Sequence, residues 1–167
     1  MTAQVSSTPA PYVEVVQSEI LAHVRNHIGH LTLNRPSGLN AINLNMVREL
    51  QRHLDTWAKD VNVKAVVLRG AGEKAFCAGG DIRSLYDSYR NKNSLHTAFF
   101  EEEYALDLTL HHYPKPVLAL MDGLVLGGGM GLVQGADLRV VTERSKLAMP
   151  EVGIGYFPDV GGSYFLT

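Results

Sequence analysis

Cysteine is almost absent from this chain. Cys77 is the only one among 167 residues, so no internal disulfide is available, and a reducing compartment is expected. Long apolar runs are lacking too. None approaches the ~20 residues that span a bilayer, so no membrane is expected as a partner. There is no basic excess: 15 Lys and Arg stand against 17 Asp and Glu, for a formal charge of -2. A nucleic-acid binder carries a basic face, so nucleic acid is excluded as an expected partner. The opening MTAQVSSTPAPYVEVV has no apolar core of a secretory leader and no arginine before Arg25. Neither a secretory nor a transit segment is expected, and the cytoplasm is the default location.

What is present is an ordinary globular composition, 46% hydrophobic and 19% charged, in a chain long enough for one domain. Residues 1–11 read as a disordered tail, and residues 12–167 as one domain. From Tyr12 to Leu33, YVEVV, ILAHV and HIGHLTL form a small β meander. NRPSGLNAIN is a loop. Val47, Leu50, Leu54 and Trp57 recur at helical spacing, behind a cap at Asn43 or Asn45. KAVVLRG is a buried strand and AGEKAFCAGGD a loop, after which Asp81 caps DIRSLYDSYR. Ser94 opens a second long helix with an apolar face of Leu95, Phe99, Leu106 and Leu110, ended by Pro114 and Pro116. VLALMDG, LRVVTE and KLAMP are further strands. EVGIGYFPDVGGSYFLT is a loop that runs into an apolar start. Strands alternating with helices give an α/β class.

The segment GLVLGGGMGLVQ places Gly127, Gly128, Gly129 and Gly131 within five positions. A phosphate loop would need Gly-Lys-Ser/Thr, yet no lysine lies between Lys115 and Lys146. The dinucleotide pattern G-x-G-x-x-G fails in every register. Two uses remain: tight packing of a helix on a strand, or backbone N–H groups at a helix start that stabilise an oxyanion. A second glycine turn before a helix, FCAGGDIR, suits the latter, since two such turns can converge on one carbonyl oxygen. His23, His27 and His30 have metal-like spacing but fall in hairpin segments that do not place them on one face, so no metal is expected. Cys77 reads as a buried structural cysteine. Ser163 is not in a G-x-S-x-G elbow.

Four segments, LNRPSGLNAIN, KAVVLRGAGEKAFCAGGDI, PKPVLALMDGLVLGGGMGL and AMPEVGIGYFPDVGG, together resemble the crotonase, or enoyl-CoA hydratase/isomerase, superfamily. The resemblance implies a ββα spiral, often trimeric or hexameric, so a homo-oligomer is possible. It implies acyl-coenzyme A thioesters as substrates, no separate cofactor, and two backbone N–H groups on the thioester oxygen. Those donors match Gly80 and Gly128. Leu39, Ala78, Gly80 and Ile82 match positions that hold coenzyme A. Hydratases of the superfamily carry a glutamate where this chain has Gly131. FFEEEY, GGGMGL, AMPE and FPDVGGSYFL resemble instead the 3-hydroxyisobutyryl-CoA hydrolase subfamily, which acts in valine breakdown. Its functional positions match Glu103, Gly128, Glu151 and Asp159. The subfamily's chains are longer, so this one is expected to be the N-terminal portion of such a domain, without its C-terminal part. The alternatives are a hydratase or isomerase activity that uses one acid, or an inactive fragment.

The residues themselves allow this chemistry. Glu151 follows a strand end and can aim into a cleft as base or nucleophile; the plain alternative is an exposed loop acid. Asp159, among aromatics and glycines, orients a substrate hydroxyl or assists with protons, or simply forms a Pro-Asp turn. Glu103 lies near the apolar face of its helix, where desolvation raises a carboxyl pKa. Glu102 flanks that face almost as well. Spacing does not choose between them, and the EEY motif favours Glu103.

Overall fold

A computed structural model describes residues 18–166. The expected tail and the YVEVV strand lie outside the described residues. The chain begins as a hairpin of β1 (Ile20–Arg25) and β2 (Ile28–Leu33). Asn26 and His27 turn it, both at positive φ, as a two-residue hairpin turn requires. His23 and His30 are register partners, and their rings stack at 4.8 Å. Two of the three histidines therefore share a face, contrary to expectation, because strand pairing rather than spacing aligns them. His27 instead donates from Nδ1 to the Asn62 carbonyl, 2.9 Å away.

α1 (Leu44–Lys59) starts at Asn43, whose side chain accepts from the Met46 N–H at 2.9 Å. That satisfies one orphan donor of the first turn. Met46, Val47, Leu50, Leu54 and Trp57 form its buried stripe. Each fully buried leucine stabilises by about 1.5–3 kcal/mol. Trp57 lies flat on Gly29 of β2, where any Cβ would overlap its ring.

The rest of the chain winds in coils. β3 (Ala65–Gly70), β4 (Ala75–Cys77) and α2 (Ile82–Arg90) form one. α3 (Leu95–His111) crosses over next. β5 (Val117–Met121), β6 (Leu124–Leu126) and α4 (Gly128–Gln134) form the second. β7 (Leu138–Val141), β8 (Lys146–Ala148) and a 3₁₀ turn (Glu151–Ile154) form the third. α5 (Gly162–Phe165) follows. The first strands of the coils build one sheet, in the order β1-β2-β3-β5-β7, and the second strands another, β4-β6-β8. All pairings beyond the hairpin are parallel. This is the expected crotonase-like ββα spiral.

The sequence reading placed Ala75–Cys77 in a loop, but the segment is a strand. Three residues are too few to show a period of two, and the strand exists because β6 lies beside it. On α3, Phe99, Leu106 and Leu110 are buried as expected, whereas Leu95 in the first turn is 36% exposed. Ser94 makes no side-chain cap bond; Asn93 Oδ1 accepts from the Leu95 N–H instead, at 3.1 Å. The closing segment, expected as a loop, holds the 3₁₀ turn and α5. β7 and β8 are exposed along their whole length, although a parallel sheet is ordinarily covered on both faces.

Candidate active site

Because β4, β6 and β8 are parallel neighbours, the turns after them emerge side by side. These turns carry Gly79-Gly80, Gly127-Gly128 and Pro150-Glu151. Gly127 donates to the Ala148 carbonyl at 3.1 Å, which ties the second turn to the third. A Cβ on Gly128 would lie 3.4 Å from the Gly80 nitrogen. The two expected oxyanion amides are thus neighbours. Neither N–H donates a hydrogen bond among the described residues.

Gly80 is held by the loop at 34–43. Ile42 donates to the Gly79 carbonyl at 2.9 Å and accepts from the Asp81 N–H at 2.8 Å. These two bonds straddle Gly80, which lines the cavity, and leave its own N–H undonated among the described residues. Arg35 clamps the loop from behind, donating to Ala41 at 2.6 Å and to Asp81 at 3.0 Å. Asp81 caps α2 through the Ser84 N–H, and those bonds hold its carboxyl below the usual range against the opposing effect of burial, which is the largest single influence. Buried Asn40 donates to the Ala71 and Ala75 carbonyls.

The cavity beside these amides is about 570 Å³ and is lined by Gly80, Glu103, Gly128, Glu151, Tyr156 and Asp159 among others. Ala78 and Ile82 also line it. Leu39 does not; it lines a separate pocket and touches the site only through its carbonyl, which accepts from the Ala78 N–H at 3.0 Å. No Lys, Arg or His is among the lining residues, so its acids face one another without a counter-charge.

Glu103 is 2% exposed. Burial, with the Asp159 charge added, pushes its carboxyl up to about 8. Glu102 turns outward and pairs with Arg48 of α1 at 2.6 Å. The choice that helical spacing left open is therefore made by α1. Glu151 is 8% exposed, and its Oε2 is enclosed without a partner among the described residues. Burial chiefly, and Asp159 in addition, raise its pKa. Asp159 accepts from the Tyr104 hydroxyl at 2.6 Å, and Tyr104 in turn meets the Tyr156 hydroxyl at 3.3 Å. Its loop is fixed by Gln134 of α4, which donates to the Val160 carbonyl at 2.9 Å. Val160 sits at φ 43, a costly conformation for a β-branched residue, of the kind that concentrates at functional sites.

The glycine run has a physical account. Gly127, at φ 50, leaves room for Glu151 Oε1, which would lie 2.6 Å from a Cβ there. Gly128 seats Glu103. Gly131 seats Asp107, whose Oδ2 would lie 2.5 Å from a Cβ, and Gly135 seats His111. Three α3 residues four apart thus settle onto glycines of α4 and its cap. Sequence reasoning missed Asp107. It also missed Tyr104 and Tyr156, which engage Asp159. A signal for Asp107 existed: it follows Glu103 by one helical turn, on the same face.

A family model described as Enoyl-CoA hydratase/isomerase matches residues 28–167. The 3-hydroxyisobutyryl-CoA hydrolase, mitochondrial, of Danio rerio is 50% identical over 89% of this chain and 39% of its own length. The protein of the same name from Homo sapiens is 45% identical over 89% and 38%. This chain therefore spans about two fifths of these relatives. Among solved structures, a carnitinyl-CoA dehydratase from Mycobacterium thermoresistibile superposes with a TM-score of 0.86 at 44% identity, over 89% of this chain and 44% of that one. An enoyl-CoA hydratase from Rhodobacter sphaeroides gives 0.84 at 39%, over 87% and 44%. Since the family model spans residues 28–167, most of this chain's length, the chain belongs to the crotonase, or enoyl-CoA hydratase/isomerase, family.

Proposed function

We propose that this site hydrolyses a short 3-hydroxyacyl-CoA thioester, with 3-hydroxyisobutyryl-CoA as the substrate. The observation that carries the reading is the enclosed Glu151 carboxyl, its Oε2 without a partner among the described residues, beside two undonated amides, Gly80 and Gly128, in one cavity. The amides take the thioester oxygen, and fixed donors of this kind stabilise negative charge as it develops. Glu151 then activates water or attacks the carbonyl carbon. Glu103 stands against Gly128 and bounds the acyl end of the cavity. Asp159, held by Tyr104, moves protons. Ala78 and Ile82 carry the coenzyme portion, with Leu39 supporting Ala78 from outside the cavity. The relatives' names support the hydrolase reading, as does Gly131, which leaves no side chain at the hydratase acid's position. We propose the cytoplasm as the compartment, while noting that the two curated relatives are named mitochondrial. A homo-oligomer is likewise a proposal.

One observation favours a second reading. The Asp107 carboxyl fills the space at Gly131, where a hydratase would place its second acid. The test is thiol release from 3-hydroxyisobutyryl-CoA against hydration of crotonyl-CoA, by the protein at its native length. Release of thiol with poor hydration is expected, and Glu151→Gln should slow it by about 10²–10⁴. Rapid hydration without thiol release overturns the hydrolase reading.

A further inference from the structure

We propose that Asp107 is a specificity-determining residue that hydrogen-bonds a hydroxyl on the third carbon of the acyl chain. The inference rests on the thioester reading above and assigns a partner to the acyl hydroxyl, for which that reading names none.

Asp107 lines a second cavity of about 510 Å³, together with Tyr104, Gly131, Phe157, Asp159 and Val160. Asp159 borders this cavity and the first one alike, so the two lie side by side on either side of that residue. Both Asp107 oxygens are enclosed, and neither has a partner among the described residues. A buried carboxyl without a partner is costly, which makes this the place where a ligand group has most to contribute.

The spacing along α4 fits a hydroxyl. Gly131 follows Gly128 by three residues, about 4.5 Å of helix rise. A hydroxyl on the third acyl carbon stands three bonds from the thioester carbon, a span of at most about 3.8 Å when extended. A substrate with its carbonyl oxygen on the Gly128 N–H and its acyl chain running along α4 brings that hydroxyl within hydrogen-bonding reach of the Gly131 level. The Asp107 oxygens are already there, because glycine leaves them the room. Burial, with the charges of Glu103 and Asp159 added, holds this carboxyl well above its ordinary pKa. A neutral acid both donates and accepts, as an alcohol partner requires. Phe157 and Val160 complete the cavity with apolar surface for the carbon skeleton. An acyl chain without the hydroxyl would leave the acid unpaired.

The test uses the protein at its native length and two probes of binding, the carba(dethia) analogues of 3-hydroxyisobutyryl-CoA and isobutyryl-CoA, in which methylene replaces sulfur. The ratio of their dissociation constants is measured by calorimetry in the parent, Asp107→Ala and Asp107→Asn. Asp107→Ala should lower the preference for the hydroxyl by about tenfold or more. Asp107→Asn, which still donates and accepts, should retain most of it. An unchanged ratio in Asp107→Ala overturns the proposal, and so does equal weakening of both analogues in that variant. Thiol release from the true thioesters is followed in parallel. If binding shows the Asp107-dependent preference and no thiol appears, the hydrolase reading fails while the assignment of Asp107 stands. If thiol appears and the preference ignores Asp107, the assignment fails alone.

Discussion

Replacing Glu103 by glutamine removes a buried acid and keeps its shape. In the folded protein this carboxyl titrates at about 8, against an ordinary value of 4.5. Between those two values the unfolded chain has released the proton and the folded chain still holds it. The folded state then binds more protons, so stability falls as pH rises through this window and levels off above it. At about 1.36 kcal/mol per pH unit, the loss reaches roughly 3 kcal/mol by pH 7 and 4–5 kcal/mol by pH 8. Glu103→Gln abolishes it. The variant's polar amide, buried in the same place, adds a cost or gain of about 1–3 kcal/mol, but that offset does not change with pH. The decisive quantity is therefore the slope. Urea unfolding followed by circular dichroism at pH 5, 6, 7 and 8 should show the parent losing stability with rising pH. The variant should lose about one proton's worth less per pH unit. Asp107, shifted in the same direction, leaves a residual slope in both. Parallel stability curves for parent and variant would refute the reasoning, since Glu103 would then titrate alike in folded and unfolded chains.

Gly131→Ala should destabilise, because its Cβ would come within 2.5 Å of Asp107 Oδ2. Overpacking of about 1–3 kcal/mol outweighs the helix gain of up to about 1 kcal/mol. Gly153→Ala, whose Cβ meets nothing within 4 Å, serves as the control in thermal melts, and equal melting temperatures for the two variants would count against the account of Gly131. Cys77 is buried, and burial pushes its thiol up to about 12. At pH 8 it should resist thiol reagents until the protein unfolds; rapid labelling of the native chain would contradict that burial.

Much of this protein was legible in local patterns. Asp81 was readable as a cap, and Asn43 as one of two candidates with Asn45, because a cap bond spans only three residues. The stripe of Val47, Leu50, Leu54 and Trp57 announced its helix, and the glycine turns announced two amide donors before helices. These features depend on neighbours in the chain, and the chain fixes them. Other features had no local cause. Ala75–Cys77 became a strand because β6 runs beside it. The three turns of the site stand together because β4, β6 and β8 are parallel neighbours, although the strands begin at residues 75, 124 and 146 of the sequence. Glu102 and Glu103 are adjacent in sequence and nearly equivalent by helical angle. Arg48, 54 residues away, draws Glu102 outward, while Gly128 gives Glu103 a seat inside. Asp107 went unread for the same reason: its environment is made by Gly131 on another helix. Periodicity says which way a side chain faces, but only packing says whether water, a cation or another carboxyl is waiting there, and in this site that difference sets the charge on the acids.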